Sequence, residues 1–176
     1  MTAFTRIPQN TNYLQPTKFI LSFDRIGSVQ YFCQSINVPG ISLGQGVYNT
    51  PLSDIPIAGN KLTYNPLEID FTINEDVESW NQIQLWMKAI ASPKSIQERN
   101  SLTSLQTNYK NSKLTSYSDA TLVVLSALNN PILSVRFINT FPTSLGDIQF
   151  DTKQSADDIL TASATFAYEY FEFEKA

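Results

Sequence analysis

Glu75, Asp76 and Glu78 crowd three carboxyl groups into four positions, and Asp157 and Asp158 stand side by side. Carboxylates this close could share a proton for acid–base work or hold a hard cation through oxygen. Each cluster also has a plainer role, the first as an acidic helix start and the second as a solvated turn, and the plainer roles fit better. Gly44-Gln45-Gly46 looks like a fragment of a phosphate loop, but no Lys-Ser/Thr pair and no helix pattern follow it. Lys94, Arg99, Lys110 and Lys113 form a loose basic group without the aromatic-lined groove that single-strand binding needs. Histidine is absent, which removes the usual neutral-pH base and the Ser–His and Cys–His nucleophile pairs. Cys33 is the only cysteine, so neither an intrachain disulfide nor a thiolate cluster can form; inside an apolar strand it reads as a small buried hydrophobe. No catalytic group, cofactor site or metal site emerges, and the expectation is that the chain is not an enzyme.

The chain must then act through its surfaces, and its composition says what kind they are. With 176 residues, 42% hydrophobic and only 16% charged, it has the length for one core and too many apolar side chains to stay disordered. Twelve Lys and Arg against sixteen Asp and Glu leave a net charge of −4, without the basic excess of a duplex binder. No run of about 18 apolar residues suggests a membrane span, and Met1 to Pro8 lacks the layout of a secretion signal.

Residues 1–16 carry Pro8 and Pro16 without periodicity and read as an extended arm, in which Phe4, Ile7, Tyr13 and Leu14 are apolar enough to dock. Residues 17–176 form one domain. Phe19, Leu21 and Phe23 alternate with polar residues, and Val29, Tyr31 and Cys33 do so again beyond Gly27-Ser28, which together predict a hairpin. Residues 41–65 hold glycines and prolines excluded from central strands, so they form a long loop or an exposed hairpin. Yet Ile41, Leu43, Val47, Tyr48, Leu52, Ile55 and Ile57 are apolar, which fits burial by a partner.

Leu67, Ile69, Phe71 and Ile73 then mark the clearest strand, with Glu68, Asp70 and Thr72 on its wet face. Asn74 or Asp76 can cap a helix whose core stripe is Trp80, Ile83, Met87 and Ile90, broadened by Leu85 and Trp86, and which Ser92-Pro93 ends. Residues 94–118 read as a long polar loop, with a short helix from Ser95 as an option and scattered Leu102, Leu105, Tyr109 and Leu114. Strands return at Thr121–Leu128, at Leu133–Phe137, at Asp147–Asp151 with Ile148 and Phe150 inward, and from Thr161 to about Phe173. In the last of these Ala162, Ala164, Phe166, Tyr168 and Tyr170 share a face, while Phe171 and Phe173 change parity, the sign of a bulge or an exposed apolar end. The fold class is mainly β: an antiparallel barrel or sandwich of about seven strands with one α-helix packed against it.

Six blocks, in order, resemble the tail tube proteins of contractile-tailed bacteriophages. They are Pro16-Thr17-Lys18-Phe19, Phe32-Cys33, Val38-Pro39-Gly40-Ile41, Ile57-Ala58-Gly59-Asn60, Ile69-Asp70-Phe71-Thr72-Ile73-Asn74-Glu75 with the Trp-bearing helix, and Pro142-Thr143-Ser144-Leu145-Gly146-Asp147-Ile148-Gln149-Phe150-Asp151. The resemblance spans residues 16 to 173 and implies a virion structural protein, assembled in the host cytoplasm. Its copies would close six-membered rings that stack into a hollow tube, and DNA would pass through the lumen without specific binding. The implied partners are further copies, the sheath protein, the tape-measure protein, and baseplate or terminator proteins, with no membrane. A tube-initiator or terminal ring at the baseplate or neck shares this fold, as more remotely does the ring protein of type VI secretion.

The residues suit such an assembly. Ile41, Leu43, Val47, Tyr48, Leu52, Ile55, Ile57, Phe171 and Phe173 are the candidate interface, and Glu68, Asp70 and Thr72 are candidates for a lumen face. Low charge lets large surfaces be covered without desolvating many ions. A different class, the monomeric carbohydrate-binding β-sandwich, requires Trp80 or Trp86 on an exposed rim.

Overall fold

The protein is described by a computed structural model over residues 13–95, 116–153, 155 and 158–175. Phe4, Ile7, Leu102, Leu105, Tyr109, Leu114, Arg99, Lys110, Lys113, Asp157 and the option of a helix from Ser95 therefore lie largely or wholly outside the described residues. Among the described residues, nine strands and two helices follow in the order β1 (Phe19–Phe23), α1 (Gly27–Phe32), β2 (Cys33–Ile36), β3 (Ile41–Asn49), β4 (Asp54–Tyr64), β5 (Leu67–Thr72), α2 (Glu78–Ala91), β6 (Ser118–Leu125), β7 (Pro131–Leu145), β8 (Thr161–Ala167) and β9 (Tyr170–Lys175).

Seven strands make one continuous antiparallel sheet in the order β1-β6-β7-β8-β5-β2, with β9 also paired to β7. The 15-residue β7 belongs to both halves. Its Leu133–Ile138 stretch pairs β9, and Phe141–Leu145 pairs β8. Leu21, Phe23, Leu122, Val135 and Phe137 from one half meet Leu67, Ile69, Phe71, Ala164 and Phe166 from the other, all of them buried. The mainly β, antiparallel fold with one substantial helix is as the sequence predicts.

Helix α2 closes this core. Asn74 Oδ1 accepts the Glu78 N–H at 2.9 Å, satisfying one free donor of the first turn. Its buried face is Ser79, Ile83, Trp86 and Ala89. Of the expected stripe, Ile83 is fully buried and Trp80, Met87 and Ile90 pack against the core as half-buried flanks, while Trp86, expected only to broaden it, is fully buried. Trp86 Nε1 donates to the Ser116 carbonyl at 2.9 Å, while Trp80 Nε1 donates to the Gly146 carbonyl at 3.0 Å. Gly146 in turn lies flush on β8, where an added Cβ would meet Ser163 Oγ at 2.7 Å and its carbonyl oxygen at 3.0 Å. Glycine is required there by close approach.

Four local expectations are overturned. The predicted hairpin from Phe19 to Cys33 does not form: residues 27–32 are helical, β1 pairs β6, and β2 pairs β5. Ile26 and Val29 are both buried, and their spacing of three is that of one helix face, whereas a strand would point them to opposite sides. The strand expected at Leu133–Phe137 is longer, because β7 runs on through Pro142 to Leu145 with a register shift between Pro142 and Ser144. No strand covers Asp147–Asp151, and Phe150 is 80% exposed instead of inward. The final strand is two, β8 and β9, broken at Tyr168-Glu169. There the Glu169 N–H donates to the Ile138 carbonyl at 3.0 Å and Glu169 Oε2 accepts Asn139 Nδ2 at 2.6 Å, beside an Asn139 backbone with φ of 55°. This corner explains the change of aromatic parity, and leaves Tyr170 at the surface instead of in the core.

Candidate assembly interface

Strands β3 and β4 pair only with each other and project as a two-stranded sheet. The expected excursion at 41–65 is thus a regular exposed hairpin, closed by a turn in which the Thr50 N–H donates to the Ser53 carbonyl at 3.1 Å. Pro51 sits in that turn and Pro56 in a strand that has one open edge, the places where a missing donor is tolerated. Ile41, Leu43, Val47, Tyr48, Ile55 and Ile57 are each between 49% and 61% exposed, and Leu52 at the tip is 98% exposed. Leu62, which the sequence reading passed over, is as open as they are. The hairpin's only charged residues are Asp54 and Lys61.

Register and alternation divide this surface. Near the root, Ile41 pairs Tyr64 and Leu43 pairs Leu62, so these four share one face. Beyond Gln45, Tyr48 pairs Ile55 and Gly46 pairs Ile57, which places the tip's larger apolar patch on the other face. Between the two, one residue of β3 opposes three of β4, a bulge at which Gly59 lies against Gly44.

An aromatic cluster holds the root. The Tyr168 hydroxyl donates to the Asn65 carbonyl at 2.8 Å. Tyr64 packs on Tyr168 and Phe171, with ring centroids 6.0 and 5.6 Å apart, and Phe171 packs edge-on to Phe173 at 5.3 Å. Burial, with a smaller contribution from Tyr64, raises the Tyr168 phenol to about 12. Phe171, grouped above with the interface candidates, is half-buried here among its own chain's rings, whereas Phe173 is 56% exposed.

A second apolar surface brings Tyr13 and Leu14, read from the sequence as able to dock, beside Leu125, Ala127, Leu128 and Ile132, which the sequence reading did not connect with them. Lys18 fastens the chain there, its Nζ donating to the Ala127 carbonyl at 2.6 Å. No periodic signal marks it, because Leu128 lies in a turn.

The wet face of β5 is polar and acidic. Glu68 and Asp70 are exposed, Thr72 is half-buried, and Asp70 accepts the Ser35 hydroxyl at 2.6 Å. Ser163, Asp147 and Gln149 border it in a shallow hollow. Among the described residues no group of three His, Cys, Asp or Glu side chains could hold a metal ion. Glu75 and Asp76 are exposed, and Glu78 accepts from Gln82 at 3.0 Å. Cys33 is half-buried, its thiol pushed up to about 11 by burial and then by Asp70, far from a nucleophile's range. Neither Trp80 nor Trp86 stands on an exposed rim, so the platform of a carbohydrate-binding sandwich is missing.

Among the described residues, then, the hairpin exposes apolar side chains and the outer face of β5 exposes acidic ones. The tail tube terminator protein of Enterobacteria phage T4 is 25% identical over 178 residues, covering 96% of this chain and 93% of that protein. Among solved structures, the tube-terminating cap of the anti-feeding prophage superposes with a TM-score of 0.62 at 14% identity, covering 100% of both chains. The sheath/tube terminator of the extracellular contractile injection system PVC superposes with a TM-score of 0.58 at 17% identity, covering 94% of this chain and 99% of that one. The profile described as phage tail tube protein matches residues 5–174. Spanning nearly the whole chain and agreeing with the antiparallel fold, that match shows that the chain belongs to the phage tail tube protein family.

Proposed function

We propose that the chain is a ring-forming structural subunit at the end of a contractile tail's tube, a terminal ring. The observation that carries the reading is the β3–β4 hairpin, with exposed apolar residues on both faces that none of the described residues covers. On a member of this family, such a surface fits docking on an adjacent ring of the same or a related chain. The end position is favoured by the near full-length similarity to a tail tube terminator. The tube body is the second reading, supported by the fold shared with a chain of the PVC sheath–tube complex at a TM-score of 0.55.

In this proposal Ile41, Leu43, Val47, Tyr48, Leu52, Ile55, Ile57 and Phe173 are the interface, and Phe171 shapes it from beneath. Partners are further copies, the last tube ring, and sheath or terminator proteins, all within the virion tail. The acidic face of Glu68 and Asp70 is assigned to the lumen, where like charge keeps DNA phosphates from being held.

Electron microscopy of the purified protein tests both readings. Discrete rings that do not stack support the terminal position, open-ended tubes support the tube body, and a strict monomer at high concentration refutes both. Deleting Gly44–Ala58 should leave a folded barrel that no longer associates with the adjoining ring.

A further inference from the structure

The hairpin's pairing slips at one point, and the close approach there admits only glycine. Leu43 pairs Leu62, but Gln45 pairs Ala58, so Gly44 alone spans the width of Gly59, Asn60 and Lys61. At Gly59 a Cβ would fall 2.3 Å from the Gly44 carbonyl oxygen and 2.7 Å from its carbon. Backbone atoms cannot yield as a flexible side chain would, so only glycine permits the crossing. The other two hairpin glycines are not so confined: a Cβ at Gly44 finds the Lys61 carbonyl oxygen at 3.5 Å, and one at Gly46 finds that of Ile57 at 4.0 Å. The crossing also stands where the apolar side changes face, with Ile41, Leu43, Leu62 and Tyr64 before it and Tyr48, Ile55 and Ile57 after it.

We propose that Gly59 is a positioning residue: its backbone crossing with Gly44 bends the hairpin and thereby aims the Tyr48–Ile55–Ile57 patch at its partner. The root gives the bend a fixed base, since the Tyr168 hydroxyl grips the Asn65 carbonyl and the Asn65 N–H donates to the Gly40 carbonyl at 3.0 Å. The tip extends about 17 Å beyond the crossing, so a small change of angle there becomes a large displacement at Leu52. The inference rests on the reading of the hairpin as an assembly contact.

The test measures aim and association separately. Spin labels at Ser53→Cys and Glu172→Cys, in a Cys33→Ser background diluted with unlabelled protein, report the distance from tip to barrel within one subunit. Gly59→Ala should displace that distance, and so should deletion of Asn60 and Lys61, which restores one-to-one pairing. Gly46→Ala should leave it at the parent value. Both displaced variants should lose ring association while keeping the parent's far-ultraviolet spectrum. An unchanged mean distance in the deletion variant overturns the inference, whatever Gly59→Ala does to local order. A displaced distance with undiminished association leaves the bend standing and refutes the hairpin as an assembly contact.

Discussion

At the scale of single residues, the two indoles of α2 carry unequal weight. Trp86 is fully buried against Phe166, with ring centroids 6.1 Å apart, and the Arg25 guanidinium lies 5.4 Å from its ring centroid. Trp86→Ala should cost about 3–5 kcal/mol in denaturant unfolding, and Trp80→Ala distinctly less, because its ring is already partly wet. Asp24 is a different case. Burial, and then the charge of Asp119, raise its carboxyl above the usual range, against a smaller lowering by Arg136. An acid whose folded pKa is raised favours the native state while protonated, and that advantage is lost as pH rises through the folded value. Asp24→Asn should therefore raise the melting temperature at neutral pH, and the gain should vanish as pH falls below the carboxylate range. Its neighbour Asp119 is held by direct bonds. It is 7% exposed, it accepts Arg136 Nη2 at 2.8 Å, and it receives the Asn139 N–H at 3.2 Å.

Elements differ in how plainly their residues announce them. β5 was legible because Leu67, Ile69 and Phe71 alternate without exception with Glu68, Asp70 and Thr72. α2 was legible because its apolar residues recur at helical spacing and Ser92-Pro93 stops it, although periodicity alone did not rank Trp86 above Trp80, both of which lie on the broad apolar side. Asn74→Ala should lower stability by about 1 kcal/mol by equilibrium unfolding, through the lost acceptor for the Glu78 N–H. α1 was misread because six residues are too few to separate a period of two from one of 3.6. The hairpin's apolar residues could be named from their Gly/Pro-rich setting, but not its bend, nor the seat of Gly146 on Ser163. Those depend on backbone from distant positions coming within van der Waals range, which local pattern does not encode. Phe171 was grouped with the interface for a related reason: the ring that covers it, Tyr64, is more than 100 positions away.

The whole molecule divides its labour between a closed core and an open appendage. With Asp54 and Lys61 as the hairpin's only charges, association through it should draw little from ion pairing. Sedimentation in rising sodium chloride should show undiminished association, and sulfate should strengthen it by favouring apolar burial. A steep fall with salt would instead place the contact on charged surface elsewhere.

One further consequence follows from β7. Its first stretch is stitched to β6 and β9 and its last to β8, so a single covalent strand runs through both halves of the sheet. Tension entering at the hairpin root, through Tyr64 and Tyr168, reaches that strand by way of Phe137 and Phe171. No plane exists along which the halves could slide while each kept its own pairing. Under pulling, the barrel is expected to hold its shape until it ruptures in one event.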